Sequence, residues 1–196
     1  INNSHVLHRF LKSFAKIKTK KILIHGGGNQ VTKMCKKLNL DIKIRNGRRI
    51  TSIQDLEVAT MIYAGSLNKT LVTKLQSFNC NSIGLSGADA NLIESVKRPV
   101  KEIDYGLVGD IKKINSVFLK KLIDQNLTPV ICSITHDKKG QLLNTNADTI
   151  SSEIAISLSK YYTVDLIYCH EKNGVLSNPN DAVSYTHLRA HETLTD

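Results

Sequence analysis

Lys21-Ile-Leu-Ile-His25-Gly-Gly-Gly28-Asn29 passes from an apolar run to a bare glycine loop and then to a polar start. The apolar run is short and bounded, which reads as a buried strand. Residues 30–38 then carry Val31, Met34, Cys35 and Leu38 at helical spacing. In a strand, glycine loop and helix in that order, the backbone can approach a ligand closely, and free N–H groups at the helix start attract an anion. The stretch is not the dinucleotide fingerprint, which needs Gly-x-Gly-x-x-Gly, nor a P-loop, because no Gly-Lys-Ser/Thr follows. A tight structural turn is the alternative use of the same glycines.

The alternation continues in both directions. Upstream, Val6, Leu7, Phe10, Leu11 and Phe14 have helical spacing. Downstream, residues 53–63 and 67–78 read as two helices, 81–86 as a strand, 118–125 as a helix, 129–134 as a strand, 149–158 as a helix and 162–169 as a strand. Strands alternating with helices imply an α/β fold with a largely parallel sheet and helices on both faces. Residues 96–114 depart from this. They are rich in charge and hold a turn, Asp104-Tyr-Gly106, between two alternating stretches. They read as a β-hairpin, or a pair of hairpins, over one end of the sheet.

The bulk numbers limit the function classes. With 196 residues, 41% of them hydrophobic, the chain suits one large domain, or one domain and part of a second. No apolar run approaches the roughly 20 residues needed to cross a bilayer, and the first residues carry no signal pattern. A cytoplasmic protein with no membrane partner is expected. Cys35, Cys80, Cys132 and Cys169 are widely spaced with no Cys-x-x-Cys pair, which favours reduced, mostly buried thiols over disulfides or a zinc site. The net charge is +10, and residues 1–40 hold nine Lys or Arg and no Asp or Glu. No aromatic residues are interleaved to stack on bases, so a solvated basic face beside a phosphate-bearing substrate is expected, with no nucleic-acid partner.

Three further stretches carry polar groups in suggestive patterns. In Asn46-Gly-Arg-Arg49-Ile-Thr51 a guanidinium could clamp a carboxylate with two parallel hydrogen bonds, or the two arginines could be a surface pair after a turn. In Gln141-Leu-Leu-Asn144-Thr-Asn146-Ala-Asp148-Thr149, an extended backbone would point Asn144, Asn146 and Asp148 to one side. One of them could cap the helix that follows, but a cap needs only one. Gly84-Leu-Ser86-Gly87-Ala-Asp89 could supply backbone donors at a strand end, or only a tight turn.

Together with Ala64-Gly-Ser-Leu-Asn68-Lys-Thr70, these stretches resemble the N-acetylglutamate kinases of the amino acid kinase family, in order and in spacing, over residues 1 to about 182. The resemblance implies a three-layer αβα sandwich with a mostly parallel central sheet and a β-hairpin lid at residues 96–114. It implies ATP-dependent phosphorylation of the side-chain carboxylate of N-acetyl-L-glutamate (or N-succinyl-L-glutamate), an early step of arginine biosynthesis, with ATP and Mg2+ as cofactors and a homo-oligomer at full length. Carried over residue by residue, Gly27 and Gly28 meet the reacting carboxylate through backbone N–H groups, Arg49 holds the α-carboxylate, Asn144 contacts the backbone or acyl end, and Asp148 orients two catalytic lysines. No metal ligand and no ATP-site residue is assigned. The implied layout is an acyl-amino-acid-binding lobe at 1–160, the start of an ATP-binding lobe at 161–182, and a non-native tail at 183–196 that reads like a translated sequencing adapter.

The chain departs from the family pattern in two places. The family's first strand, a Lys followed by two glycines, does not precede the opening helix, and the second catalytic lysine lies past residue 196. Truncation at both ends is therefore expected, and with both cations missing the chain is expected to be catalytically inert, since phosphoryl transfer depends on positioning and charge stabilisation. It would then be a non-catalytic acylglutamate-binding fragment. A serine esterase is the remaining alternative, because His25-Gly-Gly-Gly28 resembles a lipase oxyanion loop and Gly84-Leu-Ser86-Gly87-Ala88 nearly matches Gly-x-Ser-x-Gly. Ala88 replaces the second glycine, and His136 or His170 would have to complete the triad. His187 and His191 are four apart, but Leu188 stands where a zinc protease needs Glu.

Overall fold

The computed structural model describes residues 4–169, 175–176 and 185–186. In chain order the elements are α1 (Ser4–Lys16), β1 (Leu23–His25), α2 (Gly28–Lys37), β2 (Ile44–Arg45), β3 (Arg48–Arg49), α3 (Ile53–Thr60), a π-helix (Met61–Leu67), α4 (Asn68–Gln76), β4 (Ser82–Leu85), β5 (Ile93–Lys97), β6 (Gly109–Ile114), α5 (Ser116–Asp124), β7 (Thr128–Cys132), β8 (Ile134–His136), β9 (Leu142–Asn144), α6 (Ala147–Ser159), β10 (Val175–Leu176) and β11 (Tyr185–Thr186). Two compact units contain them, Ile1–Leu166 and Ile167–Asp196. In the second, β10 and β11 pair antiparallel.

The first unit is an α/β structure around a parallel sheet of order β1-β7-β4. Successive residues of a strand point to opposite faces, and β7 shows what each face meets. Val130 packs with Leu7 and Leu11 of α1 and with Leu71 and Leu75 of α4. Its neighbour Ile131 packs with Leu119 and Ile123 of α5 and with Ile150, Ile154 and Leu158 of α6. Residues 128–132 are buried throughout, as a parallel strand covered on both faces must be. A second sheet, of order β6-β5-β8-β9, follows. The break between β7 and β8 at Ser133 lets one apolar stretch serve both sheets.

Three readings of the sequence meet corrections here. Residues 53–76 are not two helices. The π-helix joins α3 to α4 without a break. The hairpin of the charged segment is formed by β5 and β6, with an irregularity between Glu94 and Ser95, so its strands begin earlier and its connection, residues 98–108, is longer than the Asp104 turn suggested. That turn exists, with the Asp104 carboxylate accepting from the Gly106 N–H at 2.8 Å. Residues 163–169 form no strand. No described strand lies beside them, and Leu166, Ile167 and Tyr168 are exposed; an apolar run becomes a strand only when a neighbour satisfies its backbone. His170, His187 and His191 lie outside the described residues. Cys35, Cys80 and Cys132 are buried free thiols and Cys169 is an exposed one.

Candidate active site

The loop Gly26–Gly28 leaves the buried end of β1 and opens α2. No side chain caps α2, whose N-cap is Gly27, and no acidic residue sits in its first turn. Its first N–H groups therefore keep their capacity for an external acceptor. A Cβ on Gly27 would lie 2.8 Å from Leu67 Cδ2 and 3.0 Å from Tyr63 Cε1. Glycine is required here because the π-helix packs directly against the loop. A Cβ on Gly26 would lie 3.7 Å from the Ala147 Cβ, which brings the first turn of α6 beside the same loop.

His25 holds the loop from below. Its Nε2 accepts from the Asn68 Nδ2 at 3.1 Å, and its Nδ1 donates to the Gly26 carbonyl at 2.9 Å. Burial pushes its pKa below the ordinary histidine value, so the ring stays neutral and serves as a brace. Asn68, itself buried, also donates to the Val130 carbonyl at 2.9 Å. A Cβ on Gly84 would lie 1.9 Å from the Asn68 Oδ1. Gly84→Ala is therefore expected to displace Asn68, loosen His25 and lower stability by about 2 kcal/mol, an overpacking cost, read as a fall in thermal midpoint. An unchanged midpoint would remove Asn68 from the brace.

Arg48 and Arg49 part company in the β2–β3 hairpin. Asn46 and Gly47 take positive φ, 50° and 70°, which makes a tight two-residue turn. Arg48 is left exposed, while the Arg49 side chain is only 10% exposed. Its guanidinium donates to the Thr32 Oγ1 of α2 at 2.6 Å and lies 3.5 Å from Asp55 Oδ1. Asp55 also caps α3 by accepting from the Ser52 N–H and hydroxyl. A guanidinium has five donor hydrogens, so Arg49 retains donors for a ligand while Asp55 and Thr32 fix its plane.

Two residues beyond Arg49, the buried Thr51 joins this strand-turn to β9. The Asn144 Nδ2 donates to Thr51 Oγ1 at 3.1 Å, which leaves the amide oxygen of Asn144 as an acceptor. Backbone bonds from Thr51 to Tyr105 and Leu107, and from Asn144 to Leu107, dock the end of the 98–108 connection onto both. An open cleft of about 340 Å3 is lined by Ile50, Thr51, Asp55 and Gly106. Neither the glycine loop nor Arg49 lines it.

Asn144, Asn146 and Asp148 do not share one side of an extended strand. The backbone turns into α6 at Ala147. Asn146 is the N-cap, its Oδ1 accepting from the Thr149 N–H at 2.9 Å, and the exposed Asp148 stands in the first helical turn. The stretch at 84–89 resolves as structure. The Gly87 N–H donates to the Ile134 carbonyl at 2.6 Å, and the Ser86 N–H and hydroxyl both donate to Asp89. Ser86 therefore has a carboxylate partner where an esterase needs an imidazole.

A family model described as "Amino acid kinase family" matches residues 1–195. The chain belongs to the amino acid kinase family. Curated relatives of that family named acetylglutamate kinase agree closely. That of Parabacteroides distasonis is 48% identical over 181 residues, covering 92% of this chain and 71% of its own length. That of Cytophaga hutchinsonii is 50% identical over 182 residues, with 92% and 69% covered. Among solved structures, smu.665 from Streptococcus mutans superposes with a TM-score of 0.70 at 23% identity, over 81% of this chain and 64% of that one. An N-acetylglutamate synthase from Neisseria gonorrhoeae gives 0.68 at 17% identity, over 80% and 36%. At such identities the structural matches establish the amino acid kinase fold alone. Tyr63 carries no sequence signal for the site, because its spacing from Leu56 and Ala59 marks it only as core; its place beside the glycine loop is a tertiary fact.

Proposed function

We propose that this chain binds N-acetyl-L-glutamate and that the reaction it belongs to is ATP-dependent phosphorylation of that ligand's side-chain carboxylate, with N-succinyl-L-glutamate as the acyl variant of the same class. The carrying observation is that the uncapped start of α2 and the nearly buried Arg49 are joined through Thr32, one turn into that helix. A dicarboxylate whose carboxyl carbons are separated by only three intervening carbons needs two such anion sites close together. In this reading Gly27 and Gly28 meet the reacting carboxylate through their N–H groups, and Arg49 holds the α-carboxylate. The free amide oxygen of Asn144 accepts from the acylated N–H. Asp148, next in α6 to the Ala147 that approaches Gly26, orients the two catalytic lysines that neutralise the transferring phosphoryl group. The finer architecture proposed with it is a three-layer αβα sandwich in which the β5–β6 hairpin forms a lid, residues 1–160 form the acid-binding lobe and 161–182 open the ATP-binding one.

ATP supplies the phosphoryl group when bound; no described residue is assigned to it. Among the described residues no group of three His, Cys, Asp or Glu could hold a metal ion. The described residues therefore do not form a protein cage for Mg2+. Binding of the acid is the part of the reaction that this geometry carries, and it supports a second reading in which the chain binds without turnover. Isothermal titration with N-acetyl-L-glutamate, followed by an ADP-release assay, tests both. A saturable heat for N-acetyl-L-glutamate and none for N-acetyl-L-alanine is expected. Equal heats for the two would overturn the dicarboxylate reading.

A further inference from the structure

Tyr63 is 6% exposed, and its hydroxyl has no hydrogen-bond partner among the described residues. Its ring is fixed. It packs with Val31 and Cys35 of α2, Leu56 and Ala59 of α3, and Cys132 of β7, and it lies within van der Waals reach of Gly27. The hydroxyl is the part of the side chain nearest Gly28, 4.0 Å from where a Cβ would stand. It thus comes up beside the uncapped first turn of α2.

The ring is buried, but the hydroxyl is not sealed away from solvent, so it is open to a ligand at the loop. Phenylalanine would fill the same space and lose only that polar tip. The backbone here is also unusual, since Tyr63 lies within the π-helix Met61–Leu67, and π turns are rare and frequent at functional sites. Burial raises the Tyr63 pKa, and the nearby Arg49 acts in the opposite sense. The hydroxyl stays protonated at neutral pH and can add a donor to the N–H groups and the guanidinium already there.

We propose that the Tyr63 hydroxyl is a substrate contact, donating a hydrogen bond to the carboxylate that the Gly27–Gly28 loop receives. This inference rests on the acylglutamate-binding reading and adds a residue to it. The ligand carboxylate would then be met from the helix start by N–H groups and from the π-helix by one O–H, and the phenol would find its partner only when the ligand is bound.

The test uses the whole chain and N-acetyl-L-glutamate. Tyr63→Phe keeps the ring and removes only the hydroxyl. Its affinity by titration calorimetry should fall about tenfold, the usual value of a hydrogen bond to a charged group, while its thermal midpoint without ligand holds or rises. Independently, the wild type labelled with 13Cζ-tyrosine should show one of its six tyrosine signals shifting on addition of ligand. That measurement decides the matter even if the variant folds poorly. Wild-type binding with an unshifted tyrosine spectrum, or with equal affinity in Tyr63→Phe, would overturn the Tyr63 contact and leave the binding reading intact. No binding by the wild type would overturn the binding reading, and the Tyr63 contact with it.

Discussion

Arg49→Ala is expected to lose affinity for N-acetyl-L-glutamate by roughly 30- to 100-fold, the worth of a bidentate contact to a charged group at about 2–3 kcal/mol. It is also expected to lose stability, because the buried Asp55 would be left with one partner fewer. Breaking a buried pair typically costs about 3–5 kcal/mol. The cost here should fall nearer 2 kcal/mol, since the Arg49–Asp55 approach is long at 3.5 Å and Ser52 still donates twice to the carboxylate. Arg49→Lys separates the two losses. An ammonium can remain beside Asp55 but cannot reproduce the planar fork. Affinity should still fall by about tenfold or more while the thermal midpoint largely recovers. Titration and melting of both variants provide the check, and wild-type affinity in Arg49→Lys would take Arg49 out of the carboxylate site.

Asp148→Asn is expected to reduce kcat by about a hundredfold or more, the scale seen when a preorganised charge-stabilising group is removed, with little change in acylglutamate affinity. The structure sharpens this expectation. Asn and Asp cap helices about equally well, so a silent variant would be natural if Asp148 were the cap of α6. Asn146 holds that place. The placement of a carboxylate in a first helical turn contributes about 0.3–1 kcal/mol, and Asp148→Asn loses that contribution as well. Turnover of the variant in an ADP-release assay measures the catalytic effect. Near-normal kcat would leave Asp148 as a surface carboxylate with no part in the chemistry.

How much of this was legible in the sequence follows from the range of the forces involved. The run Ile22-Leu-Ile-His25 and the glycines after it announced β1 and the α2 start, because a buried parallel strand and a helix face each leave a local period. Arg49 could be singled out only with Arg48 beside it. What distinguishes them is the hairpin that Asn46-Gly47 closes, which sets one arginine outward and the other against α2 and α3. The alternation of Asn144, Asn146 and Asp148 suggested three equivalent groups, yet the helix begins between the second and third and gives each a separate task. Residues 162–169 had the apolar content of a strand, but a strand also needs a neighbour, and content carries no information about that.

The π-helix has a consequence in angular terms. The inward residues of this long helix, Ala59, Tyr63, Leu67, Leu71 and Leu75, recur every fourth position. In an α-helix each residue advances about 100°, so a step of four overshoots a full turn by about 40°, and four such steps would carry the last residue about 160° around the axis. A turn closed by i→i+5 bonds holds more than four residues, so the same step falls short there and the overshoot is taken back. The helix is in effect a phase corrector placed where Tyr63 and Leu67 must face the glycine loop. An α-helix one residue shorter would bring Ala59 and Leu71 within about 20° of alignment, since eleven steps of about 100° make three turns and little more, so the π-helix takes up one extra residue without rotating Leu71 and Leu75 off the sheet.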